Sequence, residues 1–514
     1  NQSYYPGTPQ PLFYYYFWFL LCSLVDQLGG GLVTAKHAVF AGTLWAGALL
    51  VAALRVYADM LPGTKSATTT AVAAALLLVT GLDLMPFLTM YLHAALAGPV
   101  PGPLPDLEWW NEQITAWLSA VLWVPHHVAA LAVCLTGFRL AERGGFRGPL
   151  IAGAAFACAL GMSIWVTLTA AVIGGTWCLL LLLRRDGLGL MAWGLAGATA
   201  LLLALPFVLD LHASQQSTGA PIAFSVREFF PLTRAYRLFG SDIICGQTCR
   251  LLALPLNYSL EFGFFGLTAL IYWVHRWRRG PLSRNELFLL VQAAAALVFC
   301  SLFKSAIVLN DLGWRGMMFV QFALLLWAVP IITGFAAADR WRPWLKATAA
   351  LGLAATTIQA IQLRSQPATE RNADLRRTYE WIAAHTPVSA IVQHNPAVGF
   401  EGVHAMYGNR QAAYSDQLYA RLYGIDPETA EKFGTTLEPL FADPPLPLPQ
   451  IVALAHRFGI SHLVAKAEDP VWHVRDSWLW AVKPLFATAS VRVIAIADLE
   501  RLIPKGPATA KSEE

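Results

Sequence analysis

Long apolar stretches constrain this chain more than any other feature. A transmembrane helix needs about 20 mostly apolar residues, and ten stretches approach that length: about 36–57, 67–83, 118–138, 149–163, 165–183, 190–209, 251–274, 286–308, 316–336 and 344–362. Only 13% of the residues are charged, against about 25% in soluble proteins. The chain is therefore predicted to be a mainly α-helical, polytopic membrane protein.

The stretch 11–33 differs from these ten because it is crowded with aromatic residues, holds Asp26 and ends in glycines. Aromatic side chains prefer the membrane–water interface. We interpret this stretch as a helix lying on the membrane surface, and an eleventh span is the alternative. The predicted number of spans is about 10–11.

The end of the chain has a different composition. Residues 1–363 contain 36 charged residues, whereas the 151 residues of 364–514 contain 32. Short apolar runs at 390–393, 461–465 and 491–497 are typical of strands, and 374–385 and 451–458 are typical of helices. We predict three parts: an extracytoplasmic loop with a juxtamembrane helix (1–35), a transmembrane helical domain (36–363) and an extracytoplasmic α/β domain (364–514).

Basic residues indicate the orientation, because cytoplasmic loops are enriched in Lys and Arg. Alternate loops are basic, and they hold Arg55 and Lys65, Arg139 to Arg147, Arg184 and Arg185, Arg276 to Arg284, and Arg340 to Lys346. This places 84–117, 210–250 and the C-terminal domain on the extracytoplasmic side of what we expect to be a bacterial inner membrane. The basic residues of these loops also account for the net charge of +4. Because membrane orientation explains this charge, we expect membrane lipids as partners and no nucleic acid. The oligomeric state stays open.

Polar residues collect at the predicted outer face, where ionisable groups at membrane depth usually mark a site. Asp83 ends one apolar stretch, Glu108 lies in the following loop, and His126 and His127 come directly after Pro125. Asp83 and Glu108 are the candidate catalytic carboxylates. The histidines are candidates for binding substrate or metal, and interfacial anchoring beside a proline kink is the alternative.

A second group of polar residues lies at the outer end of the last hairpin of apolar stretches. Lys304 and Arg315 could hold a phosphate, because arginine offers a bidentate fork and lysine a point charge. Asn310 and Asp311 lie between them, and an Asp311–Arg315 pair that only closes the turn is the alternative. Glu261, one turn from Asn257, is a further candidate for substrate binding, and a buried hydrogen bond to Asn257 or to a neighbouring tyrosine is the alternative.

Three other features allow more than one interpretation. Cys245 and Cys249 share a polar loop, where they could form a disulfide or remain two independent thiols. Arg227, Glu228 and Arg237 belong to the same loop and could contact an anionic ligand or only solvent. His394, Asn395 and Asp416 follow predicted strands, where α/β domains place ligand sites, although turn formation explains them equally well.

Several segments resemble the GT-C-type glycosyltransferases, a superfamily of polytopic membrane enzymes. They are Pro6 to Pro9, Tyr14 to Phe17, Leu28-Gly29, Gly81-Leu82-Asp83, Glu108-Trp109-Trp110, Trp123 to His126, Asn310 to Arg315, Tyr379 to Ile382 and Thr386-Pro387. The resemblance implies transfer of a sugar from a polyprenyl-phosphate-linked donor to an acceptor at the outer face. Lys304, Arg315 and Arg237 would then hold the phosphate, with a divalent cation (Mg or Mn) as a possible cofactor.

One part of the GT-C pattern has no counterpart in this chain. The catalytic acid of that pattern follows a first span, so we expect the sequence upstream of Asn1 to encode such a span and a loop with an acidic residue. Two other functions remain open: a transporter or flippase for lipid or polysaccharide precursors, and a non-catalytic membrane scaffold. Clustering of polar residues at one face favours the enzyme over a two-sided carrier.

Overall fold

The computed structural model describes residues 3–5, 8–9, 16–30, 32–61, 67–97, 107–108, 110–112, 114–214, 222–233, 246–305, 310–334, 340–365, 370–397, 407–415 and 427–504. The chain divides into two compact units. The membrane unit comprises 15–209 and 219–365, and the C-terminal unit comprises 366–514 together with 1–14 and 210–218.

The membrane unit is built from helices and one small antiparallel ribbon. Its helices are α1 (Phe17–Leu28), α2 (Ala35–Ala58), α3 (Ala67–Leu76), α4 (Leu84–Ala97), α5 (Trp117–Trp123), α6 (Pro125–Ala141), α7 (Arg147–Met162), α8 (Ile164–Leu183), α9 (Gly187–Ser214), α10 (Gln247–Arg276), α11 (Arg284–Leu302), α12 (Asp311–Gly316), α13 (Met318–Ile332) and α14 (Arg342–Ser365). Strands β3 (Ile222–Phe224) and β4 (Phe303–Ser305) pair so that Ala223 faces Lys304.

The predicted mainly α, polytopic class is confirmed. Each of the ten predicted stretches contains a helix. Among the described residues, five helical segments are long and apolar enough to span a membrane by themselves: Lys36–Ala58, Ile164–Leu183, Gly187–Leu209, Arg284–Leu302 and Asp311–Ile332. A sixth is formed if α5 and α6, which meet at an angle of 111°, count as one broken span. Helix α1 has 12 residues, fewer than a span needs.

The structure differs from the prediction around residue 80. Helix α3 ends at Leu76 instead of continuing to 83, and α4 occupies the start of a segment that the sequence predicts as an outer loop. The cause is a tertiary contact: the backbone N–H of Leu82 donates to the carbonyl of Leu260 in α10 at 2.7 Å. The stretch 77–83 therefore leaves the helix to pack against another helix.

The segment Asp311–Ile332 lies at the centre of the membrane unit. In the most apolar part of this segment, 83% is buried, whereas the corresponding share in the other four spans is 22% to 44%. It follows that the other helices surround α13. The outer helices expose apolar side chains such as Phe40, Leu201 and Leu252, as expected for surfaces that face lipid.

Glu142, at the end of α6, ties several helix ends together. Its carboxylate accepts hydrogen bonds from the indole N–H groups of Trp177 (2.9 Å) and Trp193 (2.7 Å) and from Arg284 Nε (2.6 Å). Arg284 also pairs with Asp186 at 2.6 Å. Burial raises the pKa of Glu142, but these hydrogen bonds and the Arg284 charge outweigh burial and hold the pKa below its usual range.

The C-terminal unit is a mixed α/β domain, as predicted. Its described helices of ten or more residues are α15 (Glu370–His385), α16 (Pro427–Leu437) and α17 (Leu448–Arg457), with the short α18 (Trp478–Ala481) and α19 (Ile496–Glu500). Its four-stranded sheet has the order β5 (Val392–His394), β6 (His462–Lys466), β8 (Val491–Ala495), β7 (Phe486–Ala487). β5 and β6 are parallel, and β8 is antiparallel to both of its neighbours. Separate apolar cores cover the two faces of the sheet. In the same unit, β1 (Ser3–Tyr5) pairs with β2 (Thr8–Pro9).

Candidate functional site

The segment 107–116 runs through the interior of the membrane unit. Its buried residues include the polar side chains of Glu108, Asn111 and Glu112. Buried polar groups in proteins are almost always hydrogen-bonded. The partners of these three side chains identify the parts of the chain that meet here.

Asn111 joins this segment to helix α10. Its Nδ2 donates to Asn257 Oδ1 at 2.8 Å and to Glu261 Oε1 at 2.7 Å. The backbone N–H of Ile114 donates to the other oxygen of Glu261 at 3.0 Å, and Asn257 Nδ2 donates to the carbonyl of Glu228 at 3.2 Å. Both oxygens of Glu261, a predicted substrate-binding residue, therefore hold the segment 107–116 against α10.

Glu112, Arg227 and Asn310 form a second contact, which we name the Glu112–Arg227–Asn310 junction. Arg227 is 2% exposed, and it donates to the carbonyl of Gly313 at 3.0 Å and to the carbonyl of Glu112. The Glu112 carboxylate accepts from the backbone N–H of Glu228 at 2.7 Å and from Asn310 Nδ2. Three segments that are far apart in the sequence are locked together by one buried arginine and one buried glutamate.

Asn310, a predicted substrate-binding residue, has a conformation that explains its presence in a turn. Its φ is +56°, a left-handed conformation that asparagine tolerates better than most residues. Its Oδ1 accepts from the backbone N–H groups of Ser305 at 2.9 Å and Gly313 at 3.1 Å. Asn310 thus caps α12 while its amide nitrogen contacts Glu112.

The two predicted catalytic carboxylates lie in the same region and are both buried. Asp83 accepts from Trp110 Nε1 at 3.1 Å and from Thr80 Oγ1 at 3.2 Å. Glu108 accepts from the backbone N–H of Ala116 at 2.7 Å. These bonds give both carboxylates a role in positioning the segment 107–116, and their catalytic role stays a prediction.

The stretch before Asp83 packs directly on the backbone of α10. A Cβ atom on Gly81 would lie 2.8 Å from the carbonyl oxygen of Leu260 and closer still to that of Glu261. Helix α10 is kinked here, at Gly263, which has a φ of +43°. A cavity beside this contact is lined by Val79, Thr80, Gly81, Ala116, Trp117, Glu261, Phe262, Phe265, Gln321 and Leu324.

Two cations share one carboxylate beside this network. Glu228 Oε1 lies 3.6 Å from Arg250 Nη2 and 3.8 Å from Lys304 Nζ. The three side chains are partly accessible, with 30% of Glu228, 16% of Arg250 and 42% of Lys304 exposed. Because one carboxylate balances only one of two cations, these three described side chains together carry a net positive charge next to solvent.

Arg315, predicted to act with Lys304, lies in a different environment. Its guanidinium stacks on the rings of Trp123 at 5.1 Å and Trp314 at 5.2 Å. It also lies 3.7 Å from Asp311, as the turn-closing alternative requires. Lys304, in contrast, pairs with Glu228 at 3.8 Å.

His126 and His127 are buried with their rings 4.1 Å apart. His127 Nδ1 is 2.7 Å from Ser163 Oγ, and the ring of His126 contacts Phe19 of α1 at 5.5 Å. In the part of the chain that the structure describes, no three His, Cys, Asp or Glu side chains are close enough to hold a metal ion.

Sequence reasoning did not single out Asn111, Glu112 or Arg250, and it treated Arg227 only as part of a loop. A local signal exists for the first two, because three of the five residues at 108–112 are polar. The loop residues Arg237, Cys245 and Asp416 lie outside the described residues.

Comparisons with known proteins give similarity of fold without similarity of sequence. No family model matches the chain, and no curated protein matches it. The archaeal oligosaccharyltransferase AglB from Archaeoglobus fulgidus, solved with an inhibitory peptide and a dolichol-phosphate, matches 91% of this chain at 12% identity, with a TM-score of 0.47. The match spans 62% of the AglB chain.

ArnT from Cupriavidus metallidurans gives two further matches. The structure bound to undecaprenyl phosphate matches 95% of this chain and 89% of ArnT, at 14% identity and a TM-score of 0.51. The apo structure matches 94% and 88%, at 13% identity and a TM-score of 0.53. This chain is an integral membrane protein that shares the fold of ArnT, and a polytopic helical fold of this kind is what its sequence resemblance implies.

Proposed function

We propose that the protein is a membrane glycosyltransferase that moves a sugar from a polyprenyl-phosphate-linked donor to an acceptor at the outer face of the membrane. The observation that carries the proposal is a continuous polar network in the membrane unit. It runs from Lys304 and Arg250 through Glu228 and Asn257 to Asn111 and Glu261. The fold shared with ArnT supports the proposal.

The chemistry of such a transfer needs two kinds of group. Negative charge develops on the leaving phosphate, and preorganised cations stabilise it. Lys304 and Arg250 suit this role because they are partly exposed and, among the described residues, both pair with the same carboxylate, that of Glu228.

The second group is a carboxylate that accepts the proton of the acceptor hydroxyl. Asp83 and Glu108 are the proposed candidates in this chain. A divalent cation, Mg or Mn, is a further proposed component. Because the described residues offer no three-ligand cluster, the proposal assigns no step to a metal ion.

The cations are tested with undecaprenyl phosphate, the lipid bound in one ArnT structure. The protein is reconstituted in nanodiscs, and the affinity is measured by native mass spectrometry. Lys304→Met and Arg250→Met are each expected to weaken binding about tenfold, which corresponds to about 1.4 kcal/mol. Lys346→Met, which removes an exposed lysine of α14, serves as the control and should bind like the parent protein.

A second measurement tests transfer itself. Membranes that contain the protein should release polyprenyl phosphate from a polyprenyl-phosphate-linked sugar, and Lys304→Met should slow the release. If all three variants bound undecaprenyl phosphate equally well, the assignment of Lys304 and Arg250 to a phosphate site would be wrong. Binding without any donor turnover, combined with movement of the lipid between leaflets, would favour the flippase.

The location is a further part of the proposal: a bacterial inner membrane, with the C-terminal domain on the extracytoplasmic side. It is tested in a variant without native cysteines by labelling intact cells with an impermeant maleimide. We expect Ser389→Cys to react from outside and Gly280→Cys to react only after the cells are opened. The reverse result would invert the topology and place the polar network inside the cell.

A further inference from the structure

Glu228 combines a fixed backbone with a loosely paired side chain. Its backbone N–H donates to the Glu112 carboxylate at 2.7 Å, and its carbonyl accepts from Asn257 Nδ2 at 3.2 Å. Its Oε1 lies 3.6 Å from Arg250 Nη2 and 3.8 Å from Lys304 Nζ. Both distances exceed the about 2.7–2.9 Å of a charge-assisted hydrogen bond. The Glu228 carboxylate therefore acts on these two cations through its charge.

Other carboxylates of the membrane unit make much closer contacts with arginine. Arg284 Nε donates to Glu142 at 2.6 Å, and Arg276 Nη2 donates to Glu286 at 2.7 Å. These pairs hold helix ends together. The Glu228 contacts are longer than either, and 30% of the Glu228 side chain is exposed. Since the hydrogen bonds that anchor this residue are made by its backbone, the carboxylate contributes a negative charge beside solvent.

The proposed transfer changes the charge of the lipid phosphate. The bond between the sugar carbon and the phosphate oxygen breaks, the acceptor oxygen bonds to the sugar carbon, and the acceptor proton moves to a carboxylate. The phosphate keeps the electrons of the broken bond. The donor is a phosphate diester with a single negative charge, whereas the product is a monoester that carries a charge of about −1.5 to −2 at pH 7.

The charge of the site matches the donor better than the product. Together the described side chains of Glu228, Arg250 and Lys304 carry a single positive charge, which balances a diester. A monoester brings additional negative charge, which the Glu228 carboxylate repels at short range. Without this carboxylate the two cations would balance the monoester, and the product would be held more tightly.

We propose that Glu228 is a specificity-determining residue that adjusts the site to the diester donor and promotes release of the polyprenyl phosphate product. The inference rests on the proposed function, because it takes Lys304 and Arg250 as the groups that hold the phosphate. Glu228 acts on the lipid through repulsion, which lowers the affinity for the monoester more than the affinity for the diester. The lipid therefore leaves after the sugar has been transferred.

The test compares two lipids that differ in charge: undecaprenyl phosphate, a monoester, and its methyl ester, a diester. Affinities for the full chain in nanodiscs are measured by native mass spectrometry. Glu228→Gln removes the charge but keeps the size of the side chain. It should bind the monoester about tenfold tighter and the diester only about threefold tighter, because the interaction energy scales with the charge of the ligand. Glu228→Ala should shift both affinities in the same direction.

The control is Asp59→Asn, which removes an exposed carboxylate that pairs with Arg55. This variant has the same net charge as Glu228→Gln and should bind both lipids like the parent protein. Turnover gives a second measurement. Undecaprenyl phosphate added to the donor reaction should inhibit Glu228→Gln at about tenfold lower concentration than the parent, because the product is released more slowly.

The outcomes separate this inference from the proposed function. Weaker binding of both lipids by Glu228→Gln and Glu228→Ala would give the carboxylate a structural role and overturn the inference. Unchanged affinities, or an equal gain for both lipids, would overturn it as well. In each of these cases the phosphate site stands if Lys304→Met and Arg250→Met still weaken binding. If neither of these two substitutions weakens binding, the phosphate site itself is wrong, and the proposed function fails with it.

Discussion

Replacing Arg227 with methionine is expected to lower the free energy of unfolding of the membrane unit by about 3 kcal/mol. Arg227 is 2% exposed and donates to the carbonyl groups of Gly313 and Glu112. A hydrogen bond from a charged group contributes about 1.5–3 kcal/mol, and its loss leaves a buried acceptor without a partner. Methionine fills similar space but donates to neither carbonyl.

The measurement is thermal or denaturant unfolding of the protein in detergent micelles. Arg143→Met is the matched control, because Arg143 is exposed and no ion pair of the described residues includes it. Arg227→Lys keeps the charge but loses the planar fork that reaches two carbonyls, so its stability should lie between those of the parent and Arg227→Met. Equal stability of Arg227→Met and Arg143→Met would contradict the role given to the junction.

The same substitution should also affect the phosphate site. Arg227 directly precedes Glu228, whose backbone N–H donates to Glu112 and whose carboxylate pairs with Lys304 and Arg250. Loosening the junction should therefore move Glu228. We expect Arg227→Met to weaken undecaprenyl phosphate binding as well, although Arg227 itself is buried away from solvent.

The helices could be predicted from the sequence because each depends mainly on its own apolar residues. A stretch of about 20 apolar residues forms a helix in lipid, since every backbone group must be hydrogen-bonded within the segment. The prediction was wrong at 77–83, where the backbone of Leu82 pairs with Leu260 instead. That partner is remote in the sequence, and no local pattern indicates it.

The candidate site was predicted less well for the same reason. The sequence singles out Asp83 and Glu261 because each is an acidic residue within or at the end of an apolar stretch, and Glu108 because it lies in the loop that follows Asp83. It does not indicate that Asn111 lies between Asn257 and Glu261, since their positions differ by 146 and 150 residues. From charge type and spacing, the sequence predicts that Lys304 and Arg315 act together. In the structure, Lys304 forms an ion pair with Glu228.

Gly81 is the position where the addition of one methyl group is expected to disturb the site most. In Gly81→Ala the new Cβ would overlap the backbone carbonyl groups of Leu260 and Glu261. Backbone atoms cannot rotate away as a side chain can, so α10 and the stretch before Asp83 must separate. Overpacking of this kind typically costs 1–3 kcal/mol, and we expect a loss of stability of about 3 kcal/mol.

Gly194→Ala is the control for Gly81→Ala. Gly194 lies inside helix α9, and a Cβ atom there meets no other atom within 4 Å. Alanine should therefore stabilise the protein by about 0.5–1 kcal/mol, because glycine is unfavourable within a helix. The two substitutions are chemically identical but should have opposite effects on the measured stability. If both variants were more stable than the parent, the close approach of Gly81 to α10 would be wrong, and so would the position of Glu261 beside the segment 107–116.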